Sequence, residues 1–376
     1  MNIIIASDSF KGTLSSREIA LMVEEGFRKV MEDVSFTPFI VADGGEGTLD
    51  AVQESIKRGQ RIYAKVHDPL MRPMSASYLD MGEGRALIEM AEASGLTLLS
   101  DSERDPMKAT SYGTGELVRD ALIKGFRDIT VAIGGSATND GGMGFLSALG
   151  ARFMDEEGNV LPGTGEDLEK IRKIDLSLFD TMGARFTVMC DVQNPLTGEK
   201  GATYVYGPQK GANEEKLIRL EKGMRNYRAC IIEETGEDPD LLKGSGAAGG
   251  MGAALMVFLK AEQKSGINAL LDMYGFDEAL KSSDLVITGE GRADRQSAYG
   301  KVLSGIGRVA WKRGVPVIAV CGSLGEGYEE LHEIGITSFY STMKENMSLE
   351  YALSHAEELY RETILEVAED VIRNEY

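Results

Sequence analysis

The sequence predicts an α/β protein with a discontinuous, Rossmann-like, doubly wound domain into which a mixed α/β domain is inserted. Near both ends of the chain, short apolar runs alternate with helical patterns, and polar, glycine-rich loops follow several of the apolar runs. Near residue 60, closely spaced short strands replace this rhythm. We therefore expect residues 1–59 and 277–376 to form the doubly wound domain and residues 60–276 the inserted one, with the active site in the cleft between them.

Length, charge and cysteine content exclude several classes of function. The chain has 376 residues, which is enough for two domains, and its formal net charge is −20. Such a charge disfavours nucleic acid and acidic membranes as partners, so we predict small-molecule substrates. The three cysteines are far apart in sequence, and the first residues resemble a strand rather than a signal peptide. Both features predict a cytoplasmic protein. Oligomeric state is left open.

The first 56 residues predict two strand–loop–helix units. Apolar runs at residues 2–6 and 36–42 indicate strands, and each is followed by a polar loop and a helical pattern. Ser15 and Glu18 have the spacing of a capping box, which predicts where the first helix begins. Because the carboxyl ends of parallel strands lie at one edge of a sheet, both loops are expected at a ligand-binding edge.

These two loops contain charged side chains. In the first, Asp8, Ser9 and Lys11 follow the strand, and Lys11 would neutralise a phosphate or carboxylate. The alternative is that Asp8 pairs with Lys11 and caps a turn. In the second, three glycines surround Asp43 and Glu46, whose carboxylates suit Mg²⁺. A substrate hydroxyl or a solvated turn are the alternatives there.

The middle of the chain predicts a mixed sheet and a glycine loop. Residues 61–66, 75–81 and 86–90 indicate short strands, and residues 202–206 a further strand or sheet edge. After a strand at residues 129–133, the segment 134–144 carries polar side chains among five glycines. Its backbone N–H groups and hydroxyls would cradle phosphate, and Asp140 is a candidate base or metal ligand. Close packing of backbone against backbone is the alternative.

Two further loops of the middle region carry candidate site residues. Asp191 and Asn194 follow an apolar strand, and Asp191 would accept a proton from a substrate hydroxyl. An Asx turn built on Asn194 is the alternative. Gly244 to Gly249 match G-x-G-x-x-G, although no apolar strand precedes them. Close helix packing is therefore the main alternative to a phosphate contact in this segment.

The stretch from 284 to 301 predicts a strand, a glycine turn and the beginning of a helix. The turn carries Glu290, Arg292, Asp294 and Lys301, which suggests that phosphate and a metal ion meet here. A solvated surface turn is the alternative. Further on, Trp311 is predicted to lie in the core, and one amphipathic helix is predicted to carry the apolar stripe from position 349 to 367.

Six motifs, taken together and in this order, resemble the type-1 bacterial glycerate kinases. They are DSFKG, ADGGEGT, GGSATNDGG, CDVQNPLTG, GAAGG and GEGRADRQSAYGK. Ser7 and Ser297 depart from the Pro and Thr that the family usually has at these positions. The resemblance covers nearly the whole chain and implies the same discontinuous fold. It also implies phosphorylation of D-glycerate by ATP and Mg²⁺, and it favours the 2-hydroxyl as acceptor.

Under this hypothesis each candidate residue has an expected role. The expected catalytic residues are Lys11, Asp191 and Asp140. The expected substrate contacts are Asp8, Ser9, Lys11, Asn194 and Arg292. The expected nucleotide and phosphate contacts are Gly135, Ser136, Thr138, Asn139, Gly249, Gly250 and Lys301. The expected metal ligands are Asp43, Glu46, Glu290 and Asp294.

Two rival functions come from other classes of protein. The first is a nicotinamide-dependent hydroxy-acid dehydrogenase, which only the G-x-G-x-x-G match supports. The second is a non-catalytic, two-domain binder of small carboxylates. Such a binder would have little use for several carboxylates around an anion site, whereas an enzyme that uses magnesium and a nucleotide would need them.

Overall fold

The chain divides into two units, the first of which is discontinuous in sequence. The structure is a computed structural model that describes residues 1–10, 12–41, 47–56, 59–298 and 301–374. The first unit comprises Met1–Asp43 and Ile267–Tyr376, and the second comprises Gly44–Gly266. The helix Thr48–Ser55 thus belongs to the second unit and residues 267–276 to the first, a different division from the predicted boundaries at 59 and 277.

The helices and strands of the described residues are named here in chain order. They are β1 (Asn2–Ser7), α1 (Ser16–Val30), β2 (Ser35–Pro38), α2 (Thr48–Ser55), β3 (Gln60–His67), β4 (Pro73–Gly82), β5 (Arg85–Glu89), α3 (Ala91–Ser94), α4 (Tyr112–Ile123), β6 (Asp128–Ala132), α5 (Met143–Ala148), β7 (Arg152–Met154), β8 (Lys173–Asp175), β9 (Arg185–Met189), α6 (Ala202–Tyr206), α7 (Glu214–Thr235), α8 (Ala247–Ala253), β10 (Glu262–Lys264), α9 (Gly266–Tyr274), α10 (Phe276–Leu280), β11 (Leu285–Gly289), β12 (Arg292–Ala293), α11 (Val302–Arg313), β13 (Val317–Cys321), β14 (Ser323–Leu324), β15 (Ser338–Ser341), α12 (Leu349–Ser354) and α13 (Ala356–Arg373).

The first unit is built on a parallel sheet with strand order β15-β13-β11-β1-β2. Alternate side chains of β1 enter the cores on the two faces, because successive residues of a strand point to opposite sides. Ile3 and Ile5 belong to one core, Ile4 and Ala6 to the other. The predicted doubly wound fold is confirmed, and its strand order is the flavodoxin-like one, which reverses between β1 and β11.

Helix α1 shows how the local sequence specifies the first unit. Ser15 accepts a hydrogen bond from the Glu18 N–H at 3.2 Å, and the Glu18 carboxylate accepts one from the Ser15 N–H at 2.8 Å. The predicted capping box is therefore present. The helix packs on α13, and a Cβ added at Gly26 would lie 2.4 Å from Cγ2 of Ile364. A larger residue at position 26 would push these two helices apart.

The second unit contains a six-stranded mixed sheet with order β10-β9-β6-β5-β4-β3. Strands β3, β4 and β5 pair in antiparallel fashion, and β5, β6, β9 and β10 are parallel neighbours. The three predicted short strands are confirmed, and a hairpin turn at Gly82–Gly84 joins β4 to β5. Because β6 and β9 are adjacent and parallel, the loops that begin near residues 134 and 191 leave the same edge of this sheet.

Three predictions of local structure are wrong. Residues 202–206 form helix α6, not a strand, because Gly201 and Gly207 limit the segment and it packs on α7 and α8. Trp311 is 64% exposed, because the apolar face of α11 consists of other residues and Trp311 lies outside it. The last amphipathic segment is two helices, since the backbone leaves helical geometry at His355.

Within the described ranges, no helix combines the length and hydropathy needed to cross a bilayer.

Candidate active site

The first unit has a cavity at the carboxyl edge of its sheet, which we call the sheet-edge pocket. Its volume is about 390 Å³, within the range of about 300–1,000 Å³ that is usual for small-molecule sites. It lies at the point between β1 and β11 where the strand order reverses, and ligands of doubly wound sheets bind at this point. The described residues that line it are Asp8, Ser9, Phe10, Thr13, Glu290, Gly291, Arg292, Lys301, Gly322, Ser323, Thr342, Met343, Leu349, Ala352, Leu353 and Ala356.

The loops after β1 and β11 are joined by their backbones. The Asp8 N–H donates to the carbonyl oxygen of Gly289 at 2.9 Å, and the Ser9 N–H donates to Oδ1 of Asp8 at 2.7 Å. Glu290 follows directly after β11, so the Asp8 and Glu290 carboxylates both face the pocket. The structure thus brings together two segments that are about 280 positions apart in sequence.

Glu290 is a buried acid whose carboxylate accepts a hydrogen bond from a hydroxyl group. Oγ of Ser297 donates to Oε1 of Glu290, and only 6% of the residue is exposed. Burial raises the pKa of the Glu290 carboxyl, while the Ser297 hydrogen bond and the charge of Lys301 oppose that shift. The charges of Asp8 and Asp294 raise the pKa further. A cation bound beside Glu290 would therefore relieve repulsion among three acids.

Two cationic side chains also line the pocket. Arg292 is exposed, and its Nε lies 3.7 Å from Oδ2 of Asp294. The other oxygen of Asp294 accepts a hydrogen bond from the Gln296 N–H at 2.9 Å. Lys301 occupies the residue before α11, so its ammonium and the helix N-terminus both favour an anion at this position. Arg292 and Lys301 line the pocket, whereas Asp294 lies beside it.

In the second unit, Asp140 is a fully buried carboxylate that organises the loop 134–144. Its Oδ2 accepts hydrogen bonds from the Ser111 hydroxyl at 2.7 Å and the Ser111 N–H at 2.8 Å. Its Oδ1 accepts one from the Gly142 N–H at 3.0 Å. Burial raises the pKa of Asp140, and these hydrogen bonds oppose the shift. Both oxygens are thus engaged in holding the beginning of α5.

Lys210 contacts the loop 134–144, a contact that the sequence analysis did not predict. It is 2% exposed, and its Nζ donates to Oγ of Ser136 at 2.8 Å and to the carbonyl oxygen of Thr138 at 2.6 Å. Burial lowers the pKa of the Lys210 ammonium to about 7, against the opposing charge of Asp140. The position of a lysine between Gly207 and Gly211 was the available signal, since glycines beside a charged residue permit close backbone approach.

The two glycine segments of the second unit pack directly on each other. A Cβ added at Gly249 would lie 2.0 Å from the carbonyl oxygen of Thr138, and one at Gly250 would lie 2.6 Å from Cα of Gly141. The Gly141 N–H donates to the carbonyl oxygen of Gly249 at 2.9 Å. This is the close packing that was one of the two interpretations of the Gly244–Gly249 match. The segment before it is the short helical turn Pro239–Leu241 rather than a strand, so the dinucleotide context is missing.

Three buried polar atoms near these segments have no hydrogen-bond partner among the described residues. They are Oγ1 of Thr138, Oδ1 of Asn139 and Oγ of Ser245. Buried polar atoms are rarely left unpaired in folded proteins, so a bound molecule or water would complete their hydrogen bonding. Gly135, at the beginning of the same loop, is exposed.

Asp191 and Asn194 follow β9 at this edge of the second sheet. Asp191 is exposed, and its Oδ1 accepts a hydrogen bond from the Gly266 N–H at 3.0 Å. Asn194 holds its own loop, because its Nδ2 donates to the carbonyl oxygen of Lys200 at 2.7 Å and its Oδ1 accepts from the Tyr206 hydroxyl at 2.8 Å. Asn194 therefore has a clear structural task in addition to its predicted contact with substrate.

Lys11, Asp43 and Glu46 lie outside the described residues. Among the residues that are described, no group of three or more Asp, Glu, His or Cys side chains is arranged to hold a metal ion. Mg²⁺ is usually bound by one or two carboxylates together with water and substrate phosphate. Glu290, with Asp8 and Asp294 close enough to affect its pKa, is a donor set of that kind.

Comparison with known proteins identifies the family. Residues 3–372 match the family model described as the glycerate kinase family. The chain is 42% identical to a glycerate kinase of Halalkalibacterium halodurans over 97% of both chains, and 43% identical to the glycerate 2-kinase of Escherichia coli over 95% and 94% of the two chains. A crystal structure of a protein assigned as glycerate kinase 2 from Salmonella typhimurium LT2 superimposes with a TM-score of 0.86 at 42% identity, covering 100% of this chain and 99% of the other. The resemblance seen in the six motifs is confirmed, and the chain belongs to the glycerate kinase family.

Proposed function

We propose that this protein transfers the terminal phosphoryl group of ATP to D-glycerate, with the 2-hydroxyl as the acceptor. The observation that carries the proposal is identity above 40% along nearly the whole chain to a glycerate kinase and a glycerate 2-kinase. The dehydrogenase alternative loses its support, because the glycines of the G-x-G-x-x-G match pack against backbone. The non-catalytic binder is not favoured by relatives that are named as kinases.

Charge neutralisation is the first task that the proposed reaction sets. In a protein with a net charge of −20, two anionic substrates need local cations. Arg292 and Lys301 would supply them in the sheet-edge pocket, together with the N-terminus of α11. Lys11, which follows Asp8 and Ser9 in the same loop, would add a third cation. We assign glycerate's carboxylate and the nucleotide's phosphates to these groups.

A magnesium ion would supply further neutralisation of phosphate charge in this site. We propose Glu290 as its principal protein ligand, with Asp294 beside it. The burial that raises the pKa of Glu290 makes its ionised form costly without a cation, which supports this assignment. Asp43 and Glu46 remain the alternative ligand pair.

The transfer also needs a group that takes the hydroxyl proton of glycerate. The hydroxyl oxygen attacks the terminal phosphorus, a new O–P bond forms, and the bond from that phosphorus to the bridging oxygen of ADP breaks. We propose that the proton passes to Asp191, which is exposed at its sheet edge. Asp140, the other candidate, already accepts hydrogen bonds on both oxygens, so we assign it to holding the loop.

The loop 134–144 is proposed to contact phosphate. Gly135 is exposed, and Oγ1 of Thr138 and Oδ1 of Asn139 are buried without a hydrogen-bond partner among the described residues; both observations support that role. Ser136 already accepts a hydrogen bond from Lys210, and Gly249 and Gly250 are packed against the loop. We therefore propose that Ser136, Gly249 and Gly250 shape the loop, while the other three residues make the contacts.

The reaction is tested with purified protein, ATP, Mg²⁺ and D-glycerate. Glycerate-dependent ADP release is expected, and phosphorus NMR of the product should show 2-phosphoglycerate. Formation of 3-phosphoglycerate would contradict the choice of hydroxyl. Absence of any glycerate-dependent ADP would contradict the function itself.

The role of Asp191 is tested by a pair of conservative variants. Asp191→Asn should lower kcat by at least about 100-fold, because general-base catalysis contributes about 10²–10⁴-fold. Asp180→Asn is the control, since Asp180 is also exposed and also accepts a backbone hydrogen bond, from the Met182 N–H at 2.7 Å. Equal turnover in both variants would reject the proposed role of Asp191.

We also propose that the protein acts in the cytoplasm. Cys190, Cys230 and Cys321 are free thiols, which suits a reducing compartment. Cell fractionation with an antibody against the protein would test this, and recovery from the periplasm would contradict it.

A further inference from the structure

The lining of the sheet-edge pocket includes two unlike sets of residues, which we call its charged half and its apolar half. One half is polar and charged, with Asp8, Glu290, Arg292 and Lys301. The other half is apolar and consists of side chains from α12 and its neighbours; these are Met343, Leu349, Ala352, Leu353 and Ala356. A single small polar ligand could use only the first half. The second half therefore calls for a ligand that also has an apolar surface.

The apolar half is formed by one face of α12. Leu349 and Leu353 are four positions apart and therefore lie on the same side of the helix, where they line the pocket. Leu349 is 62% exposed and Leu353 is 50% exposed. These leucines thus contribute little to the core of the first unit, although they keep an apolar wall beside the charged groups.

Size gives an independent argument. Glycerate has three carbons, a carboxylate and two hydroxyls, and it has no apolar face to place against leucine. A cavity of about 390 Å³ is in the size range of sites for cofactors and drug-sized ligands, most of which are lined by apolar side chains with a few polar groups. Of the two substrates in the proposed reaction, the nucleotide alone has both the size and a flat, weakly polar base.

We propose that the sheet-edge pocket is the nucleotide subsite, with the purine base against the α12 wall of Leu349, Ala352 and Leu353. This inference rests on the proposed function and adds a location for the base. The sugar would lie towards the middle of the pocket, and the phosphates would point to Arg292 and Lys301. The two kinds of lining then match the two ends of the ligand, apolar for the base and charged for the triphosphate.

The placement of the acidic groups agrees with this direction. Glu290 and Asp8 line the pocket, and the charges of Asp8 and Lys301 both act on Glu290. A nucleotide in this orientation would bring its phosphates, and a divalent cation bound to them, to these carboxylates. The reverse orientation would place a triphosphate on leucine and a base on charged side chains, which is unfavourable at both ends.

The test removes the wall and leaves the charged half unchanged. In the double variant Leu349→Ala and Leu353→Ala, KM for ATP and the inhibition constant for ADP should rise about tenfold, because part of the base loses its apolar contact. Inorganic tripolyphosphate, which has the phosphates without the base, should inhibit the wild type and the variant equally. KM for glycerate and kcat at saturating ATP should stay unchanged.

A matched control separates a local effect from general destabilisation. Leu21 is 52% exposed on α1 of the same unit and does not line the pocket, so Leu21→Ala should leave all these constants unchanged. Equal affinity of the double variant and the wild type for ADP would overturn the inference. A rise in KM for glycerate instead would also overturn it, because the wall would then belong to the other substrate. One further outcome is that the wild type binds ADP more tightly than the double variant does and yet releases no ADP in response to glycerate. In that case the proposed function would fail and the nucleotide subsite would stand.

Discussion

Replacement of Gly249 by alanine should strongly destabilise the second unit. The added Cβ would lie 2.0 Å from the Thr138 carbonyl oxygen and 2.7 Å from Cα of Asn139, so backbone would have to move. In addition, φ at Gly249 is +70°, a left-handed conformation that costs an L-residue about 1–2 kcal/mol. Overpacking of a well-packed interior costs about 1–3 kcal/mol. Together these two costs predict a loss of about 2–5 kcal/mol in the free energy of unfolding.

Gly236 offers a matched control for this substitution. Its φ is +74°, nearly the same as that of Gly249, but an added Cβ would meet no atom of the described chain within 4 Å. Gly236→Ala should therefore show the backbone cost alone, about 1–2 kcal/mol. Urea unfolding of both variants, followed by circular dichroism, measures the two losses. The excess for Gly249→Ala is the cost of the collision.

The same substitution should also affect catalysis. Movement of the backbone at Thr138 and Asn139 would displace the loop that we propose to contact phosphate, so kcat of Gly249→Ala should fall while Gly236→Ala keeps wild-type kcat. Equal free energies of unfolding for the two variants, within error, would refute the described packing of the two glycine segments. Equal kcat values would refute the functional use of that loop.

Three further predictions concern individual side chains. Lys210→Met removes the donor to the Ser136 hydroxyl and also removes a buried ammonium whose pKa burial lowers to about 7. The penalty for burying this charge is full below pH 7 and declines as pH rises towards 10.5, the pKa in the unfolded chain. In urea titrations the stability of the wild type relative to the variant should therefore rise by about 2 kcal/mol from pH 7 to pH 9, and a constant difference would contradict this. Ser297→Ala removes a hydrogen bond that lowers the pKa of Glu290, so the acidic limb of the plot of kcat/KM against pH should move to higher pH. A limb that does not move would argue against a catalytic role for ionised Glu290. The fluorescence of Trp311 should be quenched by iodide or acrylamide in the folded protein, because 64% of the residue is exposed; protection from quenching would show that another molecule covers it.

The sequence predicts best those features that depend on short-range patterns. The strand β11 is predicted because Leu285, Val286 and Ile287 form a continuous apolar run, which is typical of a parallel strand buried on both faces. The capping box at Ser15 and Glu18 is likewise a local signal with a local physical cause. For the same reason, the loops at the carboxyl ends of such strands stand out in the sequence, since their polarity contrasts with the strand before them.

Features that depend on distant packing could not be predicted. Lys210 is buried because the loop 134–144 closes over it and its ammonium reaches Ser136, a residue 74 positions earlier. Trp311 is exposed because the periodicity of α11 places its neighbours, not the indole, on the apolar face. The β-branched and aromatic residues from Thr203 to Tyr206 favour a strand, but contacts with α7 and α8 decide in favour of a helix. For Lys210 and for residues 202–206 a tertiary contact outweighs the local preference, whereas the exposure of Trp311 follows from its position on the helix.

The discontinuity of the first unit has a consequence for biosynthesis. β1 pairs with β11, and Thr288 Oγ1 donates to the carbonyl oxygen of Ala6, a partner made 282 residues earlier. On the ribosome, β1 therefore emerges long before its partner strand β11, and α1 emerges long before the helix α13 that packs on it. The intervening segment Gly44–Gly266 can complete its large sheet meanwhile, because all six strands of that sheet belong to this one continuous stretch of chain. An early stop codon after residue 266 should consequently leave a folded middle attached to an apolar N-terminal arm, a species that chaperones would be expected to hold.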